Sequence, residues 1–245
     1  WDMCRNGLYT EHGIKDLHGF GAERFRIEPR FVVKAEASLG LNAVLTEPTS
    51  VVVKAWDHVF RIGRRSPSWS PANVLITGAG PIGLLAALLG AQHGRVVHVL
   101  DHNKTGPKPV LTAEIGAIYH DSPASLDGLL FDVVMECTAV SSVIVEAISR
   151  CAPSGIVCLV GVSATGHKDE FDIGGFNRKL VLGNEVVFGT VNANRRHYED
   201  AARALAKADP GWLSKLISRR VPLTHWQEAF VKQPGDIKVV IDFSA

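Results

Sequence analysis

The sequence carries almost no net charge: 26 Lys and Arg stand against 25 Asp and Glu. That balance offers neither the basic footprint of a nucleic-acid binder nor a membrane-surface patch. No apolar run approaches the ~20 residues that cross a bilayer, and no secretory leader is visible. Cysteine is scarce too. The four, Cys4, Cys137, Cys151 and Cys158, include no C-x-x-C pair. Cys137 and Cys158 sit in apolar, strand-like runs, which suits buried free thiols in a reducing cytoplasm. His12, His18, His58 and His197 have no H-x-x-x-H spacing among them, and His167 and His225 stand alone. These histidines read as surface groups or supports for other side chains, not as a metal set. Repeats and low-complexity segments are also missing. What is present is 46% hydrophobic and 21% charged residues over 245 positions, enough core for one large domain or two small ones.

The chain is organised around Asn73 to Asp101. Val74-Leu75-Ile76-Thr77 reads as a strand buried on both faces. Gly78-Ala79-Gly80-Pro81-Ile82-Gly83 then matches G-x-G-x-x-G, Leu84 to Gly90 starts a small, apolar helix, and Arg95 to Leu100 is a second strand ending at Asp101. A strand before the motif, a helix after it and an acid ~20 residues on together mark a dinucleotide site. Gly78 allows the tight turn, Gly80 lets a pyrophosphate approach the backbone, and Gly83 lets helix and strand pack closely. The free N–H groups of the first helical turn, at Ile82 and Gly83, face the phosphates, and Pro81 suits a position whose N–H has no partner. A carboxylate at Asp101 accepts the hydroxyls of an unphosphorylated adenosine ribose and repels a 2′-phosphate, which favours NAD slightly. The neighbouring His102 and Lys104 are cations that would accommodate that phosphate, so NADP stays open.

Strand and helix alternate from there on: Ile118-Tyr119, Phe131 to Met135, Ile156 to Val162 and Val186 to Val191 as strands, and Val110 to Gly116 and Ser141 to Ser149 as helices. The alternation calls for an α/β fold with a doubly wound, six-stranded parallel sheet of the Rossmann kind. Ligands bind beyond the C-terminal strand ends of such a sheet, where Gly78 to Gly83, Asp101, Thr138, Gly161 and Asn192 fall. Thr138 is a candidate contact to a cofactor ribose. Thr49 to Arg64 reads as a helix with Lys54, Asp57 and His58 between its apolar positions, immediately preceded by Glu47-Pro48; residues 64–72 form a linker. Residues 1–48 hold two short strands, Gly19 to Ile27 and Phe31 to Lys34, without a core of their own. Tyr198 to Lys207 is a helix, two shorter helices follow around Trp212 and Trp226, and Lys238 to Phe243 is a last strand expected to pair with the N-terminal pieces.

Taken together, the chain resembles the medium-chain zinc-dependent dehydrogenases, in their glucose 1-dehydrogenase branch. The stretches that carry the resemblance are Trp1 to Gly7, His18 to Glu23, Leu45 to Pro48, the glycine motif, Asn177-Arg178 with Asn184, Gly189 to Asn192, and Ile237 to Ile241. The resemblance implies a GroES-like catalytic domain, present in part as residues 1–48 and 196–245, around a dinucleotide domain at 49–195, with further catalytic-domain residues ahead of Trp1. It implies NAD or NADP with zinc, hydride transfer from C1 of an aldose to give a lactone, and a homo-oligomer in the cytoplasm. A polyol or secondary-alcohol dehydrogenase and a non-catalytic NAD(H)-binding module are the alternatives. By the same resemblance, Glu47 is the carboxylate at the catalytic zinc and close to substrate, though an acid at a helix start fits that position equally. Glu23 is the acid that accepts sugar hydroxyls, against a plain ion pair with Arg24 or Arg26. Val191 meets the nicotinamide by backbone, Asn192 meets nicotinamide or sugar, and Cys4 is the last ligand of a structural zinc.

Overall fold

The computed structural model describes residues 4–165 and 170–244. Trp1 to Met3 and His167 lie outside them. Two-residue strands β1 (Glu11–His12) and β2 (Asp16–Leu17) form a small ladder, followed by mostly irregular chain to Glu36. The two strands expected between Gly19 and Lys34 do not form. Their alternation offers an apolar face, but no strand pairs with them among the described residues, and Phe25, Phe31 and Val32 are exposed. A kinked 3-10 segment, Ala37–Leu45, leads straight into α1 (Thr46–Gly63), so Glu47 and Pro48 lie in the first helical turn and not ahead of it. Proline is tolerated there because its missing N–H would have no helical partner.

The sheet follows. β3 (Asn73–Thr77), α2 (Pro81–Gln92), β4 (Val96–Leu100), α3 (Pro107–Glu114) and β5 (Ile118–His120) make its first half. β6 (Phe131–Glu136), α4 (Ser141–Ser149), β7 (Cys151–Leu159), α5 (Ile173–Gly183) and β8 (Val186–Gly189) make the second. All six strands are parallel, in the order β5-β4-β3-β6-β7-β8. The order reverses between β3 and β6, and this opens the crevice where such sheets bind ligands. β3, β4 and β6 are almost wholly buried, as strands covered on both faces must be. β7 starts earlier than its sequence suggests. Cys151 pairs with Phe131 and Ile156 with Val133, and the bulge between them holds Ser154 at positive φ. α5 escapes a periodicity reading because its Gly174 and Gly175 weaken the helical pattern; Asp172 caps it by accepting from the Gly175 N–H.

α6 (Arg195–Ala206) packs against α1, and α7 (Pro210–Leu216) returns to the 3-10 segment, where Asn42 donates to the Pro210 carbonyl at 3.2 Å. β9 (Ile217–Pro222) pairs in parallel with β10 (Lys238–Asp242), so the last strand does not join the N-terminal pieces in a sheet. It misses them because β9, whose four polar or proline positions hide it, is nearer in sequence and supplies the ladder. The expected helix around Trp226 is a kinked 3-10 turn, Leu223–Phe230. No helix among the described residues is long and apolar enough to cross a membrane.

Candidate functional site

The glycine motif makes the β3–α2 turn. Gly78 has φ +88°, and a Cβ there would come within 2.8 Å of the Thr138 methyl. At Gly83 a Cβ would lie 1.7 Å from the Gly78 carbonyl oxygen, so no other residue fits without moving the loop. Gly80 faces open space, the approach a phosphate needs, and no side chain caps α2, where Pro81 and Ile82 begin the first turn.

Asp101 is 8% exposed and holds that loop. One carboxylate oxygen accepts from the Ala79 N–H and the Lys108 ammonium, each at 2.8 Å. The other accepts from the Asn103 backbone N–H at 3.0 Å and its side-chain amide at 2.6 Å. Burial alone would raise its pKa, but these donors outweigh it and bring the group down to about 2. His102 is exposed, its Nδ1 3.7 Å away. Asp101 therefore bridges the glycine loop and the β4–α3 loop before any ribose arrives.

Thr138, the candidate ribose contact, lies against Gly78, and its hydroxyl is engaged by Glu136. This carboxylate, fully buried, accepts from the Thr138 N–H at 2.6 Å, the Ala139 N–H at 3.2 Å, and the Thr77 hydroxyl at 3.3 Å. It ties together the ends of β3 and β6 on the crevice floor. The sequence gives one sign of it: an acid closing the apolar run Val133 to Met135.

At the far end of the crevice, Asn192 sits at φ +64° just after β8, and its amide donates to Glu11 at 2.7 Å. Tyr198 stands beside them. Burial raises its phenol pKa first, with the charges of Glu47 and Glu11 adding to the rise, while a hydrogen bond with Ser50 lowers it. The Lys54 ammonium donates to the Val191 carbonyl at 2.7 Å. Glu11, Ser50, Lys54 and Tyr198 are thus brought to Asn192, Val191 and Glu47, and none of the four stands out by sequence; Lys54 reads there as one of the polar residues between apolar positions. Glu23 is elsewhere. It lines a groove of about 440 Å³ with Leu41, Val44 and residues 240–244.

Glu47 is exposed on the first turn of α1. No three metal-capable side chains come together among the described residues, so there Glu47 offers a single carboxylate. Cys4 is exposed, its thiol donating to the Asn6 side chain at 2.8 Å. The other cysteines are free, and burial pushes Cys151 and Cys158 up to about 12, which makes them inert thiols.

The sheet order, the tight glycine turn and the acid closing β4 define a Rossmann-type dinucleotide-binding protein of the dehydrogenase class. Residues 40–243 match the family described as glucose dehydrogenase C-terminus. The chain is 37% identical to glucose 1-dehydrogenase 2 of Vulcanisaeta moutnovskia, covering 98% of this chain and 70% of the relative. It is 38% identical to glucose 1-dehydrogenase 1 of Caldivirga maquilingensis, over 99% and 70%. Among solved structures, the glucose dehydrogenase of Haloferax mediterranei in complex with NADP, Zn and gluconolactone superposes with a TM-score of 0.89 at 27% identity, covering 100% of this chain and 71% of that one. The chain belongs to the glucose 1-dehydrogenase branch of the medium-chain zinc-dependent dehydrogenases.

Proposed function

We propose that the protein oxidises an aldose, glucose first among them, at C1 with NAD or NADP, giving the lactone. C1 yields its hydrogen as hydride to C4 of the oxidised nicotinamide, and the C1 hydroxyl releases its proton to water as the carbonyl forms. The observation that carries this is one crevice with a phosphate-ready glycine turn at one end and the Glu11–Asn192 pair at the other. Adenosine belongs with Asp101 on the first half of the sheet, and the nicotinamide half with β6 to β8. Thr138, fixed by Glu136, then borders the central phosphates and ribose, and Val191 and Asn192 border the ring. Asn192 and Glu11 together present donor and acceptor to sugar hydroxyls, a better-placed pair than Glu23. We assign Glu47 to the catalytic zinc and the substrate, and Cys4 to a structural zinc; the catalytic metal supplies Lewis-acid polarisation of the C1 oxygen when bound.

We also infer that residues 49–195 act as the coenzyme domain and residues 1–48 and 196–245 as parts of a GroES-like catalytic domain. A homo-oligomer is supported by the apolar Val181 and Leu182, exposed on α5 beside the edge strand β8, and a cytoplasmic setting by the free thiols. A panel of aldoses and polyols, followed by the absorbance of reduced nicotinamide, tests the substrate class. Turnover of glucose above sorbitol or a secondary alcohol is expected; polyol turnover without aldose turnover would overturn the assignment.

A further inference from the structure

Lys54 is a lysine 2% exposed in the middle of α1, and a buried ammonium is retained only where its charge is answered. Its Nζ donates to the carbonyl of Val191 at 2.7 Å, across 137 residues of sequence. That carbonyl belongs to the peptide joining Val191 to Asn192, just past the C-terminal end of β8. Asn192 stands there in the left-handed region, φ +64°, a conformation that asparagine adopts more readily than other residues bearing a Cβ and that local hydrogen bonds stabilise. Three hydrogen bonds fix it: Lys54 donates to the carbonyl of the peptide before it, its side-chain amide donates to Glu11, and its side-chain oxygen accepts from the Ala193 N–H at 2.7 Å.

The same helix carries Glu47, two turns earlier and on the same side, about 10 Å away along the axis. α1 is rigid, with Val52, Ala55, Trp56 and Val59 buried in the core. A rigid helix that presents Glu47 at one point and grips the Val191–Asn192 peptide at another fixes the spacing between them. Hydride transfer needs that kind of control, since reacting atoms must meet at about 3–3.5 Å.

We infer that Lys54 is a positioning residue for the nicotinamide end of the coenzyme: through the Val191 carbonyl it sets the peptide that borders the ring and registers it against Glu47. The inference rests on the dinucleotide reading of the crevice. It separates Lys54 from the adenosine end, where Asp101, Lys108 and the glycine turn act without it.

The separation supplies the test. Wild-type protein and Lys54→Met, whose unbranched side chain is one heavy atom shorter and lacks the donor, are titrated with NADPH, NADH and ADP. Binding is read by calorimetry and by the emission of the reduced nicotinamide, with thermal unfolding measured alongside. Loosening the Val191–Asn192 peptide weakens contacts that only the nicotinamide half of the coenzyme makes. Lys54→Met should therefore bind the reduced coenzymes about tenfold more weakly and lose most of the emission change, with ADP affinity within about twofold of wild type. Lys54→Arg, which keeps charge and donors, should recover the larger part of the emission change, and it carries the test if the Met variant fails to fold. Undiminished NADPH binding and emission in Lys54→Met would overturn the inference. So would an equal loss of ADP affinity, or an Arg variant that binds ADP normally and shows no emission change. If wild-type protein binds none of the three ligands, the fault lies with the dinucleotide reading itself and not with Lys54.

Discussion

Asp101 shows how a residue legible in sequence acquires a second task in the fold. Its position after β4 was evident from the spacing behind the glycine motif, and the acid is there. Its four protein donors were not evident, because Ala79, Asn103 and Lys108 reach it only once the two loops are folded together. Lys108 neutralises the charge that would repel a 2′-phosphate, so Asp101→Ala should free a cation at the ribose site. The ratio of NAD to NADP dissociation constants should then rise about tenfold, even as loop anchoring is lost for both. Fluorescence titration of the variant with each coenzyme checks this, and an unchanged ratio refutes it. The folded pKa of about 2 lies below the ordinary 3.8, so the stabilisation is complete above about pH 4 and is lost as pH falls toward 2. Lys54, Glu136 and Glu11 were missed for a related reason: a charged residue inside a helix or at a strand end looks solvated until its distant partner is known.

Single elements of the sheet were readable where their strands are fully apolar and less so where glycine, proline or polar residues interrupt them. β3, β4 and β6 fall almost where their apolar runs place them, whereas α5 and β9 are hidden and β7 begins at a bulge. The β3–α2 junction is the tightest of these elements, and Gly83→Ala tests it. With a Cβ 1.7 Å from the Gly78 oxygen, overpacking should cost about 1–3 kcal/mol or more and lower the unfolding midpoint by several degrees. A midpoint equal to wild type in a thermal melt would show that the loop yields freely. On β4 and β5, His98 and His120 share a buried hydrogen bond of 2.8 Å, and burial lowers both pKa values. The unfolded chain takes up these protons below about pH 6.5 and the folded one resists, so stability should decline as pH falls through that region. Replacing both histidines with glutamine should flatten that decline in denaturant melts between about pH 7 and 5; an unaltered slope would exclude the pair as its source.

At the scale of the whole molecule, the alternation of strand and helix implied a parallel sheet, but nothing local to any strand specified the order β5-β4-β3-β6-β7-β8. The ends were least legible. Residues 19–34 alternate like strands yet find no ladder, and β10 pairs with a strand concealed by its arginines. What the complete topology adds is the convergence of Glu47, Glu11, Asn192 and Lys54 on one end of the crevice and the glycine turn on the other. Calorimetric titration of the purified protein with NADPH measures whether that crevice is a coenzyme site. Saturable one-to-one binding is expected, abolished by Gly83→Ala and competed by ADP. No heat with either NADPH or NADH would contradict the account.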